Sequence, residues 1–144
     1  MGLIRANRAI KFSASLGSPQ QSFAANVFTK IVYSTENEDS SNAYNPGTGR
    51  FVVPVPGNYL FTASFFPAQA SAPTRLILSY FKNGVEFQRS CDQTFVTGGN
   101  MQIPPAVMQV PLAVGDYIEF FVFPTTAINN FTNTAFNNFS GFLL

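Results

Sequence analysis

The chain predicts an all-β antiparallel sandwich of nine or ten strands, and three observations carry that prediction. Apolar residues alternate or run in short blocks instead of recurring at helical spacing. Gly, Pro, Asn and Ser interrupt them roughly every 8–12 residues, the spacing of strands joined by tight turns. Ten Gly and ten Pro supply the punctuation. No stretch reads as a helix, and no repeat or linker divides the 144 residues, a length that suffices for one domain with its own core.

In order, residues 9–16 place Ile10, Phe12, Ala14 and Leu16 on one face of a first strand. Residues 27–34 form a second, carrying Val27, Ile31 and Tyr33, and residues 36–42 read as a polar, acidic loop. Asn45-Pro46-Gly47-Thr48-Gly49 is a turn, with Pro fixing φ and Gly permitting positive φ. Residues 50–55 follow, then an aromatic strand from Gly57 to about Phe66. Residues 74–81 and 85–89 flank Lys82-Asn83-Gly84, whose Asn-Gly pair signals a hairpin. Residues 97–100 read as loop, 101–112 as an apolar, Pro-interrupted stretch, and Val114-Gly115-Asp116 as a turn into residues 117–123. An Asn-rich loop over 125–138 leads to the final strand, Phe139-Ser140-Gly141-Phe142-Leu143-Leu144. An apolar end of this kind is expected to pair inside a sheet, since a free one would fray.

Composition points beyond a single chain. The sequence is 46% hydrophobic and 10% charged, against roughly 25% charged for an average domain. Seventeen Phe and five Tyr supply the bulk. On the aromatic strand Tyr59, Phe61, Ala63 and Phe65 alternate with Leu60, Thr62, Ser64 and Phe66; later Tyr117, Phe121 and Phe123 alternate with Ile118, Phe120 and Val122. A lone sandwich needs one apolar face per strand; the second is expected to lie against another copy of the chain. Two or three rings per protomer buried this way contribute on the order of 10 kcal/mol before association costs. Tyr59, Phe61, Phe65, Tyr117 and Phe120 are therefore expected in the sandwich core or the oligomer core, with Phe142 and Leu144 as further candidates for the axis.

Other chemistries find little footing. There is no His to serve as a base, no two carboxylates show a paired spacing, and Gly98-Gly99 opens no helix. An enzyme is not expected. Eight Lys and Arg lie singly, with net charge +1; Lys11, Lys30, Arg50, Lys82 and Arg89 read as solvent-facing charges, and without a basic stripe nucleic acid is not an expected partner. Nothing approaches a membrane span, and the N-terminus lacks a signal pattern. Cys91 is alone, which precludes an intrachain disulfide, and it reads as an idle or buried thiol. Residues 1–8 read as an N-terminal extension or the remnant of a domain cut from a longer protein. The sequons Asn130-Phe131-Thr132 and Asn138-Phe139-Ser140 are discounted as glycosylation sites, the second because it lies on the last strand.

The series Tyr33, Asp39, Tyr44, Phe51, Gly57, Tyr59 and Phe61, with gaps of five, four, six, five, one and one residues, resembles the signature of the complement C1q globular-head family. Tyr33 stands where that family usually has Phe, and Ala63 where it has an aromatic. Lys82-Asn83-Gly84, Leu112 with Gly115-Asp116, and the terminal six residues match in order, so the resemblance runs from about Ala9 to the end. It implies a ten-stranded jelly roll of the C1q/tumour-necrosis-factor superfamily, assembled as a homotrimer with one sheet edge and face toward the axis. Absence of a Gly-X-Y stalk and of the usual cysteines from this sequence points to a microbial or viral relative, or to a domain from a fibre.

The resemblance also raises a calcium site near the trimer top, as some members have. Glu36, Glu38 and Asp39 form the one acidic cluster, with Asp92 in another loop, but their spacing matches no calcium loop, and a solvated loop accounts for them without metal. No other cofactor is expected. The loops 36–42, 67–73, 91–100 and 125–137 are rich in hydrogen-bonding side chains, and Ser41, Asn42, Gln93, Asn100, Asn129, Asn130 and Asn133 are the candidate ligand contacts. The expected function is a non-enzymatic trimeric recognition module, the tip of a bacterial or phage surface fibre contacting a cell-surface glycan or protein, outside the cell or on a virion. A purely structural trimerising or decorating domain and a secreted, cytokine-like receptor ligand are the alternatives.

Overall fold

The computed structural model describes residues 9–68, 74–96 and 103–144. Thirteen strand segments occur among them, four only two residues long. In chain order they are β1 (Lys11–Ser15), β2 (Ser22–Phe23), β3 (Thr29–Lys30), β4 (Thr35–Asp39), β5 (Tyr44–Asn45), β6 (Arg50–Val52), β7 (Gly57–Ser64), β8 (Thr74–Lys82), β9 (Val85–Phe95), β10 (Ala106–Leu112), β11 (Tyr117–Pro124), β12 (Ile128–Asn129) and β13 (Asn138–Leu143). A single 3-10 turn, Thr134–Phe136, is the helical element among the described residues.

Two antiparallel sheets face each other. One runs β10-β7-β13-β1-β4; the other runs β5-β6-β11-β8-β9, with β3 paired to β11. The last strand lies between the aromatic strand β7 and the first strand β1, with Gly141 opposite both Phe61 and Phe12. That arrangement pairs the apolar C-terminal strand on both of its edges. Because Lys11 and Phe142 are register partners, the first and last strands begin and end at one end of the sandwich. The Asn83-Gly84 hairpin, the 113–116 turn and the 40–43 loop share that end; the 125–137 loop lies at the far end.

Alternation decides which rings fill the interior. Phe12 stacks on Tyr44 and Phe51 with centroids 4.9 and 4.7 Å away, and meets Phe139 edge-on at 4.9 Å. Tyr80 and Phe120 meet at 4.8 Å in the second sheet's share of the core. The buried tyrosines satisfy their hydroxyls on backbone carbonyls: Tyr33 donates to Ser64, Tyr44 to Tyr33, Tyr59 to Val55 and Tyr80 to Ala106. Each thereby contributes apolar area without an unmet polar group.

Several expectations need correction. Residues 36–42 are not simply loop: Thr35–Asp39 pairs with β1 as an edge strand, where exposure of both faces removes the need for apolar alternation. Residues 27–34 supply only the two-residue β3, because the Val32 N–H donates to the Gln21 side chain instead of a ladder partner. The strand expected over 50–55 stops at Val52, ahead of Pro54 and Pro56, and the apolar stretch of 101–112 becomes strand only from Ala106, after Pro104-Pro105. β9 extends well past Arg89 to Phe95, so Cys91, Asp92 and Gln93 are strand residues; two register shifts against β8 accommodate the length. The Asn-rich stretch contains β12 and the 3-10 turn.

The second apolar face of β11 is also partly covered from within. Phe121 stacks on Phe81 at 3.9 Å, and Phe28 packs on Phe123 and Phe81 at 5.2 and 5.4 Å. The Phe28 ring thus covers part of the outside of the second sheet. Lys11, Arg50 and Arg89 do face solvent, but the cations are also ion-paired: Lys30 and Arg50 both reach the buried Glu119 carboxylate, at 3.1 and 3.4 Å.

Candidate functional site

Charge is unevenly spread over the strands of the two sheets. Strands β10, β7 and β13 are neighbours in the first sheet, and none of their residues is charged. Their outward positions carry Val107, Leu60, Thr62, Ser140 and Phe142, and Thr62 and Ser140 hydrogen-bond to each other at 2.7 Å. Val107 is 53% exposed, Phe142 43% and the adjoining Leu144 61%. The second sheet instead carries a solvated ion network. Arg75 clamps Asp92 with two bonds of 2.7 and 2.8 Å, and Arg89 bridges Asp92 and Glu86. The β10-β7-β13 part of the first sheet is thus uncharged and studded with apolar side chains, while the charges of that sheet lie on β1 and β4.

A second apolar patch lies along the open β9–β10 side. Val85 and Phe87 on β9 are exposed, and Gln88 crosses from β9 to donate to the Val107 carbonyl on the edge strand β10. Lys82 hovers 5.6 Å over the Phe87 ring.

Tyr59, Phe61, Phe65 and Phe120 are fully buried between the sheets. Tyr117 is half-buried on the outer face of the second sheet under the Arg50 guanidinium, 3.9 Å from its ring centre. Phe142 and Leu144 are exposed.

The acidic cluster does not converge. Glu38 pairs with Lys11 at 2.6 Å. Asp39 caps its own loop, its carboxylate accepting from the N–H groups of Ser41, Ala43 and Tyr44 at 3.4, 3.1 and 2.9 Å. Asp92 is occupied by its two arginines on β9. Among the described residues no group of three or more carboxylate, thiol or imidazole side chains is placed to hold a metal ion. Calcium needs six to eight oxygens, and the carboxylates of Glu36, Glu38 and Asp39 within one chain do not fit it.

The candidate ligand residues split between the two ends. Ser41 and Asn42 flank the chain-end loop; Asn129, Asn130 and Asn133 lie at the far end; Gln93 faces Leu76 within the β8–β9 ladder; Asn100 lies outside the described residues. Asn130 is a buried structural hub. Its side-chain oxygen accepts from the Gln21 N–H at 2.7 Å and its amide donates to the Gly17 and Phe131 carbonyls. Asn133 caps the 3-10 turn by accepting from the Ala135 N–H. Asn137 is also fully buried, accepting from the Phe66 N–H at 2.8 Å and donating to the Phe131 and Asn133 carbonyls. These amides lock the loop from inside and leave Phe131 and Phe136, 39% and 45% exposed, as its outward surface, packed with Phe66 in a three-ring cluster. A glycan on Asn130 would have to replace the hydrogen bonds its amide donates within the fold.

Protonation follows burial and partners. Desolvation, then neighbouring phenols, pushes Tyr33 well above the ordinary phenol value; desolvation does the same to Tyr80 and Tyr44. Hydrogen bonds from Arg75, then Arg89, hold Asp92 below the usual carboxylate range, and Asn83, the Ala113 N–H and Lys82 lower Asp116. Burial, then Asp92, raises the Cys91 thiol, which keeps it protonated.

Sequence reasoning missed the clasp of Phe28, the buried Glu119 and the structural role of Asn137. Glu119 had a readable signal, a lone acid in an apolar strand. Phe28 and Asn137 had none, because their partners are remote in sequence.

These features define a class: a two-sheet antiparallel jelly roll. The C1q domain family's sequence model matches residues 11–144, and the chain belongs to that family. Among solved structures, the globular domain of zebrafish complement 1qA protein is similar at 17% identity and a TM-score of 0.54, over 93% of this chain and 96% of that one. The Eiger TNF of S. frugiperda is 12% identical over 94% and 92% of the two chains, with a TM-score of 0.61, and murine APRIL is 12% identical over 93% and 98%, with 0.62. These likenesses show the shared fold. C1q/TNF domains are typically non-enzymatic trimeric recognition or ligand modules, extracellular or secreted.

Proposed function

We propose that this protein is a homotrimeric, non-enzymatic recognition module that binds a glycan or protein on a cell or particle surface, as the tip of a bacterial or phage fibre does. The observation that carries the trimer is the pairing of two different apolar patches on one protomer. The uncharged face of β10, β7 and β13 offers Leu60 and Phe142; the β9–β10 side offers Val85 and Phe87. Contact between two distinct patches is heterologous, and such contacts close into rings when the rotation permits. Inserting the edge of one protomer against the neutral face of the next removes both patches from water.

The recognition reading is supported by the ends. A stalk joined at the end shared by β1 and β13 would project the far-end loop outward, where Phe131 and Phe136 are exposed on a rigid backbone. Rings of this kind supply contact area at low entropic cost, and three-fold repetition turns weak contacts into avidity. Screening the intact protein on glycan arrays and on cells tests the reading. Saturable binding that falls at least about tenfold in a Phe131→Ala/Phe136→Ala variant of unchanged mass is expected. Silence from intact trimers overturns it and favours a purely structural domain.

A further inference from the structure

The 40–43 loop borders a groove of about 510 Å3 lined by Glu36, Ser41, Asn42, Tyr44, Val52 and Pro54, among others. That volume falls within the roughly 300–1,000 Å3 of ligand pockets. Two of its lining residues carry unmet polar groups. Glu36 is exposed, and among the described residues it is the one carboxylate whose side chain has neither an ion pair nor a hydrogen bond. Ser41 Oγ is buried with no hydrogen-bond partner. The loop is not loosely placed: Asp39 accepts from three of its N–H groups, and Asn42 is held at φ +54°.

We propose that this groove receives a lysine or arginine side chain of a partner protein, with Glu36 as the anion that binds its charge. The wall is chemically graded to match. Val52 and Pro54 offer apolar surface to the aliphatic stem, which packs on such surface while its charged head seeks an anion. Glu36 supplies the anion, and a charge-assisted hydrogen bond to it is stronger than a neutral one. The exposed Asn42 adds a polar side chain to the same wall. Partner rather than self follows from the charge inventory. Lys11, Lys30, Arg50, Arg75, Lys82 and Arg89 are each already ion-paired within the chain, so no described cation is left to fill a neighbour's groove.

The groove lies at the end shared by β1 and β13, away from the Phe131–Phe136 surface, so the inference goes beyond the recognition reading and rests on it only in taking the partner to be a protein. The groove itself belongs to one chain. The test uses the full chain, isotopically labelled, with acetyl-Gly-Lys-Gly-amide as probe and the norleucine peptide as control. Backbone amide resonances of Ser41, Asn42, Ala43 and Val52 should shift and saturate with the lysine peptide, and remain still with norleucine. Glu36→Gln should weaken binding about tenfold or more, while Glu38→Gln, whose carboxylate pairs with Lys11, leaves it unchanged. No saturable shift, equal binding by Glu36→Gln, or equal loss in Glu38→Gln overturns the inference. So does relief of an existing shift by Arg5→Ala/Arg8→Ala, which would make the chain its own occupant. A silent groove in a sample whose mass is trimeric defeats this inference and leaves the trimer standing.

Discussion

A side chain on Gly141 would place its Cβ 2.6 Å from Cδ1 of Phe61 and 2.9 Å from Cε1 of Phe12. The last strand can lie between β1 and β7 only because this position carries hydrogen instead of carbon. Gly141→Ala should therefore cost about 1–3 kcal/mol, as overpacking does, and be read as a lowered denaturant midpoint with an unchanged slope. Full stability in the alanine variant would show that the ring packing around Phe61 is looser than described.

Aspartate at two aromatic positions should have different consequences. Tyr59 and Phe120 are fully buried between the sheets, so Tyr59→Asp and Phe120→Asp place a charge in the core and should abolish folding, with loss of β-sheet circular dichroism. Phe142 is 43% exposed, so Phe142→Asp should leave that spectrum intact while lowering the assembly to monomer. A folded trimer in Phe142→Asp would remove this ring from the interface.

Asn137→Ala should destabilise the protein by about 1–3 kcal/mol, because the Phe66 N–H loses its partner and the Phe131 carbonyl keeps only the Asn130 amide. Hydrogen exchange should accelerate first at Phe66 and through the far-end loop. Unchanged protection there would mean that water replaces the amide without loss.

Alkaline pH should unfold the chain cooperatively. Tyr33, Tyr44 and Tyr80 have phenols raised above their ordinary value in the folded state. The unfolded chain then binds fewer protons than the folded one once pH exceeds about 10, so the stability contribution is complete below that pH and falls as pH rises, by roughly 1.4 kcal/mol per unit for each tyrosine. Phenolate absorbance should appear together with loss of secondary structure. Smooth ionisation with structure retained would contradict the burial.

Much of the fold could be read from the sequence because its signals are local. Alternation marked β1, aromatic and apolar runs marked β7, β11 and β13, and Asn83-Gly84 marked the hairpin between β8 and β9, where both residues adopt positive φ. The spaced series from Tyr33 to Phe61 has a physical basis: its tyrosines pin hydroxyls to carbonyls, and Asp39 caps the loop before Tyr44. The acidic strand β4 was unreadable because an exposed edge imposes no apolar pattern. The asparagines of residues 125–138 looked like ligand contacts because the same amide that can face a ligand can equally satisfy buried backbone. Only the positions of the Phe66 and Gly17 backbone groups distinguish the two roles. Glu36 gave no sign of differing from Glu38, since Lys11 pairs with one of them only across strands.

Solution mass, measured by light scattering or sedimentation equilibrium at micromolar concentration, bears most directly on the reading that edge and neutral face close into a ring. The account predicts a single species of three 15.7 kDa chains, reduced to one chain by Phe142→Asp. A stable, folded species of one chain mass in the unmodified protein would contradict it.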